Sequence, residues 1–333
     1  MIRRRGLLTG AAASAVYAGL RRPAAAQSCG AFYPSSPPAP ATAAGYTQLL
    51  FADDFTVAST LAPTASPTSG YNWFLASNAA NPANAAINTT ATAASVSNGN
   101  TGAGSFASGL GGILTLNGPN DPGNGNVTIF STPIGTQKVS NPGFGCWGPN
   151  VYIEIYAQYN PAFTATNQWY APLWMWTQIP VSIGGTPEGE EVDFIENYCG
   201  NFGYADNVGT FGGHTWVLSN GTNPTNGGGS YGTGTGGSWA QTPMDANWHA
   251  YGMLWKSTGA STGTIQVFFD NQPQVLFNNS ASTPYSTSIL PVGTGGTVGF
   301  EALTGSSPLY AIMGGPPGTG GNINVDYFRV WAA

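Results

Sequence analysis

Charge is what this sequence has least of. Only 7% of its 333 residues are charged, and it holds two histidines and three cysteines. Five of its eight basic residues, Arg3, Arg4, Arg5, Arg21 and Arg22, lie near the N-terminus. Beyond them Lys138, Lys256 and Arg329 stand against 14 acids, a formal balance of about −11. No basic patch remains, which argues against nucleic acid as a partner. The same lack counts against sulfated polysaccharides, whose recognition wants Arg or Lys. A neutral ligand fits better. Three cysteines allow at most one disulfide within the chain, and the residues leave the pairing among Cys29, Cys146 and Cys199 open. Past the N-terminal segment no run of about 18 apolar residues occurs, so no membrane span is expected.

That N-terminal segment has its own pattern. A basic run at Arg3-Arg-Arg5 is followed by an Ala-rich apolar stretch to Leu20, and Ala24-Ala25-Ala26 offers a small-residue cleavage site. Residues 1–26 are therefore expected to be an export signal. Arg4-Arg5-Gly-Leu-Leu8 resembles a twin-arginine signal, and Arg21-Arg22 suits that route better than the general one. The destination is extracellular or periplasmic.

The rest reads as an all-β protein. There are 48 glycines and 25 prolines, and helical periodicity is nearly absent. Short runs of Val, Ile, Tyr, Phe and Trp alternate with turn residues, the signature of an antiparallel sandwich or barrel. Residues 27–45 read as a Pro/Ala/Ser-rich arm or linker. Residues 46–333 show no composition break and are expected to form one domain, with long loops at 78–112, 221–237 and 294–321. Val151-Tyr-Ile-Glu-Ile-Tyr-Ala157 alternates cleanly, and Ile323 to Trp331 ends the chain as a strand.

Against that sparse charge, Glu188-Gly-Glu-Glu-Val-Asp-Phe-Ile-Glu196 concentrates five of the 14 acids. Carboxylates this close repel and raise each other's proton affinity, a cost that points to chemistry. Val192, Phe194 and Ile195 make the stretch a strand rather than a calcium loop. Side chains alternate along a strand, so Glu191 and Asp193 share a face and Glu190 takes the other. Strict alternation would put Glu196 with Glu190. A one-residue β-bulge near Phe194 or Ile195 returns it to the face of Glu191 and Asp193. The two glutamates are then anchored about 13 Å apart. Long side chains leaning inward can leave the roughly 5 Å gap of a retaining glycosidase. Glu191 is then the nucleophile, Glu196 the general acid/base, and Asp193 the residue that orients Glu191.

The preceding strand, Tyr170-Ala-Pro-Leu-Trp-Met-Trp176, carries Ala171, Leu173 and Met175 on one face. Tyr170, Trp174 and Trp176 fall on the other. An aliphatic face suits the core, and an aromatic face suits a sugar cleft, because rings stack on the apolar C–H faces of pyranoses.

Six segments in order resemble glycoside hydrolase family 16, spanning about Leu50 to Val330. They are Phe51-Ala-Asp-Asp-Phe55, Asn150-Val-Tyr-Ile-Glu-Ile155, Tyr170-Ala-Pro-Leu-Trp-Met175 and Glu191-Val-Asp-Phe-Ile-Glu196. Trp248-His-Ala-Tyr-Gly-Met-Leu-Trp255 with Val267-Phe-Phe-Asp-Asn271 follows, then Val325-Asp-Tyr-Phe-Arg-Val-Trp331. The resemblance implies a β-jelly-roll sandwich of two antiparallel sheets with a concave substrate cleft. It implies endo-acting, retaining hydrolysis by Glu191, Asp193 and Glu196. It makes His214 a substrate contact, and His249 and Trp255 packing residues. It implies no catalytic cofactor or metal, and leaves open a structural calcium near Asp326 and Asp53. The bulged motif is similar to the laminarinase-, agarase- and carrageenase-like branches. A Tyr152 segment without the usual preceding Arg, and the long 78–112 stretch, depart from the pattern and bear on substrate choice. A secreted monomer acting on a neutral polysaccharide, first a β-1,3- or β-1,3-1,4-glucan, is expected. An agarase or galactanase, a transglycosylase, and a non-catalytic glucan-binding lectin are the alternatives.

Overall fold

The computed structural model describes residues 36–56, 61, 72–75, 85–88, 112–117, 128–131, 146–160, 170–177, 181–183, 186–197, 208–219, 223–225, 230–231, 238–243, 247–257, 263–273, 276–278, 289–292, 309–314 and 322–333. The export signal at 1–26, Cys29 and Cys199 lie outside the described residues. Among the described residues the strands form two sheets whose ladders are all antiparallel. The nine-stranded sheet runs β17 (Gln272–Pro273), β16 (Gly263–Phe269), β15 (Trp248–Ser257), β7 (Val151–Asn160), β21 (Asn322–Ala332), β4 (Ile113–Asn117), β3 (Ala85–Asn88). In it β1 (Gln48–Asp53) also pairs with β21, and β19 (Ile289–Val292) with β16. The twelve-stranded sheet runs β18 (Leu276–Asn278), β14 (Ser238–Pro243), β11 (Val208–Ser219), β10 (Thr186–Asn197), β8 (Tyr170–Thr177), β20 (Leu309–Gly314), β5 (Thr128–Phe130), β2 (Phe74–Leu75). Here β12 (Asn223–Thr225) and β13 (Ser230–Tyr231) pair with β11, β6 (Cys146–Trp147) with β20, and β9 (Val181–Ile183) with β10. The chain changes sheet repeatedly, among other places from β7 to β8, from β14 to β15 and from β20 to β21. The architecture is the expected all-β sandwich.

Alternation builds the core. On β7 the odd residues Val151, Ile153, Ile155 and Ala157 join Met253 and Trp255 of β15 and Val325, Phe328 and Val330 of β21. From the other sheet come Met175, Leu309, Ala311 and Met313. Trp255, expected to pack, is fully buried, and truncating such a residue to alanine costs about 3–5 kcal/mol. His249 is buried as well. Its Nδ1 lies 2.8 Å from Asp270 Oδ2, and its ring packs on Phe269 with centroids 4.5 Å apart. Asp270 and Asn271 have φ of 50° and 63° and close the two-residue hairpin between β16 and β17.

Four stretches depart from the expected layout. The loops expected at 78–112, 221–237 and 294–321 contain strands β3, β12, β13 and β20. Five consecutive apolar residues, Leu309 to Met313, were hidden by flanking Pro308 and Gly314-Gly315. Within the expected 27–45 arm, α1 (Ala39–Ala43) forms a single helical turn. Pro40 starts it, and Gly45 ends it at a φ of +80° that suits glycine. Its Ala41, with Tyr46, packs on Tyr152, Phe268 and Trp331, on the face of the nine-stranded sheet turned away from the core.

That outer face is itself closed. The even residues of β7, Tyr152, Glu154, Tyr156 and Gln158, are all buried. Tyr152 reaches over Gly252, where an added Cβ would come within 2.2 Å of the tyrosine oxygen. The Tyr152 hydroxyl donates to Glu154 Oε2 at 2.9 Å, and the Tyr327 hydroxyl donates to Oε1 at 2.8 Å. Burial pushes the Glu154 carboxyl up from 4.5 to about 7, against the pull of both hydroxyls and of Arg329. A carboxyl raised this way favours the fold when neutral. Its contribution is full below about pH 4.5 and is lost as the pH rises through 7, a swing of roughly 3 kcal/mol. Melting temperatures from pH 4.5 to 8 should therefore fall more steeply for the wild type than for Glu154→Gln. Parallel curves would show that Glu154 does not titrate in this window.

Candidate active site

The acidic strand β10 lies in the middle of the twelve-stranded sheet, between β8 and β11. Against β11, Glu191 stands opposite His214, Asp193 opposite Gly212 and Glu196 opposite Thr210. The partners 214, 212 and 210 are alternate positions, so they belong to one face of β11. Three residues of β10 advance while β11 advances two, between Asp193 and Glu196. This is a one-residue bulge at Phe194 or Ile195, the only way to keep all three acid positions in step with one face. The β8 side shows the same extra residue, with Asp193 opposite Trp174 and Ile195 opposite Leu173.

The described side chains fix which face this is. Val192 stands opposite Met175, and Met175 is fully buried in the core between the sheets. Trp174, next to it and opposite Asp193, is half-buried and outside that core. The positions of Glu191, Asp193 and Glu196 therefore belong to the face turned away from the core, and Glu190 and Val192 to the opposite one. Trp176 is opposite Glu191 and falls in the same row. His214 is brought directly beside Glu191 along the ladder. Tyr170 is not in step with the two tryptophans. It pairs with Asn197 beyond a second register shift, where β8 holds the extra residue. Pro172 lies within that irregularity and has no N–H to give to a ladder.

A neighbouring strand, within the stretch 294–321 expected as a loop, contributes further positions. On β20, Tyr310 stands opposite Trp176 and Ile312 opposite Trp174. Leu309, Ala311 and Met313, the residues between and beside them, are core members. Ser131 anchors this edge, donating its N–H to the Ala311 carbonyl at 3.0 Å and accepting the Ala311 N–H on its hydroxyl at 2.9 Å.

No group of three or more His, Cys, Asp or Glu among the described residues is arranged to hold a metal ion. Asp326, named for a structural calcium, is buried at the bulge of β21 between Val325 and Tyr327. Asp53 spends its carboxylate on protein donors. It accepts the Phe55 N–H at 2.8 Å, Trp73 Nε1 at 2.9 Å and Asn72 Nδ2 at 3.0 Å. Among the described residues no helix is long and apolar enough to cross a membrane.

No protein-family model and no curated protein matches the sequence. Solved structures align at low identity. A glycoside hydrolase family 16 endo-glucanase from Bacteroides ovatus is 13% identical, covering 84% of this chain and 99% of its own, with a TM-score of 0.36. The kappa-carrageenase from Pseudoalteromonas carrageenovora is 13% identical, covering 62% of this chain and 68% of its own, at 0.33. An alginate lyase is 9% identical, covering 75% and 84%, at 0.35. Matches this remote assign neither a family nor an activity.

Proposed function

We propose that the chain is an exported, retaining endo-β-glycanase acting as a monomer on a neutral polysaccharide. The observation that supports this best is the bulge that keeps Glu191, Asp193 and Glu196 in step with one face of the sheet. A strand that merely displayed acids to water would have no use for it. With the bulge absorbing one residue, the two glutamates are anchored about 13 Å apart, within reach of the roughly 5 Å carboxyl separation of the retaining reaction. In the first step Glu191 attacks the anomeric carbon and Glu196 gives its proton to the departing glycosidic oxygen. The sugar is then held to Glu191 as an ester. In the second step Glu196, now a carboxylate, takes a proton from water as the water oxygen attacks the same carbon, and Glu191 leaves. Asp193, between them, orients Glu191 and holds negative charge beside Glu196. Trp174, Trp176 and His214 line the same row and supply stacking and hydrogen-bonding surface to the sugars.

The favoured substrate is a β-1,3- or mixed-linked β-glucan, because the mature chain offers almost no cation to bind a sulfated or uronic glycan. Incubation with laminarin, lichenan, agarose and xyloglucan tests this, with products sized and their anomers followed by NMR. Laminarin or lichenan should be cut internally, and the first-formed reducing end should keep the β configuration. An inverted first product would overturn the mechanism. Binding without cleavage of any glycan would favour a lectin.

A further inference from the structure

We propose that Tyr310 is a specificity-determining residue of this same site, contacting the glycan where it crosses β20. The inference rests on the endo-glycanase reading and deepens it. Its basis is a continuous line of register partners running across the strands. Cys146 of β6 stands opposite Tyr310 of β20, Tyr310 opposite Trp176, Trp176 opposite Glu191, Glu191 opposite His214, and His214 opposite Ser230 of β13. Six strands thus place one residue each on a single transverse row through the nucleophile. Neighbouring strands are about 4.8 Å apart, so Tyr310 is anchored roughly 10 Å from Glu191 along that row.

The face is fixed by β20 itself. Leu309, Ala311 and Met313 belong to the cluster packed between the sheets, whereas Tyr310 and Ile312, although buried as well, are not members of that cluster. By alternation Tyr310 and Ile312 occupy the site face, beside Trp176 and Trp174. Ile312 is 1% exposed and carries no polar atom, so it can only pack. Tyr310 keeps 6% of its surface accessible. It combines a largely buried ring with a hydroxyl that can give and take a hydrogen bond, the pairing of properties that suits a hexose edge. A polymer laid across the strands, with its scissile bond at Glu191, meets Tyr310 on one side and His214 on the other. On the β20 side the row runs through a closely packed tyrosine before it reaches Cys146 of β6. Tyr310 accordingly governs how the chain is registered over Glu191, and hence the lengths of the products.

The test compares wild type, Tyr310→Phe, Tyr310→Leu and Lys256→Gln on laminarin or lichenan and on matching oligosaccharides of graded length. Melting temperature, KM, kcat and the product-length distribution are recorded for each. Tyr310→Leu should raise KM about tenfold, with a smaller change in kcat and altered product lengths. Tyr310→Phe should show the same change more weakly, and Lys256→Gln, at an exposed position of the other sheet, should keep the wild-type pattern. A merely structural tyrosine would lower the melting temperature and leave KM and product lengths alone. That outcome would sink the proposal and leave the endo-glycanase reading standing. If Tyr310→Leu does not fold, Tyr310→Phe decides on the same two readouts. A wild type that cuts none of the four glycans would overturn the reading and the proposal together.

Discussion

Glu191→Gln should reduce kcat by roughly ten-thousandfold or more while leaving the melting curve and glycan binding close to wild type. The amide is isosteric with the carboxylate, so the strand and its ladders have no reason to change. On the proposed mechanism, what is lost is the nucleophile, and with it the ester that divides one difficult displacement into two easier ones. Glu196→Gln removes the proposed proton donor and should cost about a hundredfold to ten-thousandfold. This second variant should fail most on substrates with poor leaving groups, and an activated aryl glycoside should restore much of the first step. The pair of variants separates the two roles. Equal losses on natural and activated substrates for Glu196→Gln would remove it as the acid. Wild-type turnover by Glu191→Gln would remove the glycosidase reading altogether.

Arg329→Met should destabilise the protein by about 3–5 kcal/mol without touching the site row. Arg329 is buried on the outer face of β21. Its Nε and Nη2 lie 3.0 and 2.8 Å from Asp54 Oδ1, and its guanidinium sits 3.9 Å from the centroid of the Tyr327 ring. Asp54 is as buried as its partner. Burial pushes its carboxyl up, and Arg329 is what pulls it back. With Met at 329 the ring contact survives in part, but Asp54 becomes a buried charge with its counterion gone. Chemical denaturation should show the loss. The double variant Asp54→Asn/Arg329→Met should recover much of it, since the damage comes from the orphaned charge more than from the missing pair. A single variant as stable as wild type would mean that the pair contributes nothing net.

The acidic strand and the buried Asp54–Arg329 pair are parts of the molecule that are unequally legible in the sequence. The bulge that keeps the three acid positions on one face could be read from the sequence, because one periodicity and one conflict sufficed. Glu191 and Asp193 agree in parity, Glu196 does not, and a bulge is the cheapest repair. The two-sheet class was equally readable from turn residues and short β-rich runs. Tyr170 shows where that reasoning stops. Its parity matches Trp174 and Trp176, but the irregularity at Pro172 sits between them, and nothing in the run of letters says which strand takes up the slack. β20 was missed for a compositional reason, five apolar residues inside a Gly- and Pro-rich stretch. The outer face was missed for a different one. Alternation says that Tyr152, Glu154 and Tyr156 share a face, but not that the face is closed. Closure depends on Ala41 and Tyr46 meeting Tyr152, Phe268 and Trp331 across more than a hundred residues of chain. Asp53 is similar, since its partners Asn72 and Trp73 lie 19 and 20 residues on.

The bulge on β10 also has a consequence for how the sheet finds itself. A uniform strand is a ruler with identical graduations, and it can be slid along its neighbour by two residues and still look right. β10 carries a half-period slip between Asp193 and Glu196, matched by a slip against β8. Any displaced alignment that satisfies the residues before the slip sets those after it against the wrong partners, putting a carboxylate where Ile195 belongs. The defect that gathers the acids therefore acts as a vernier, with one setting at which both scales agree.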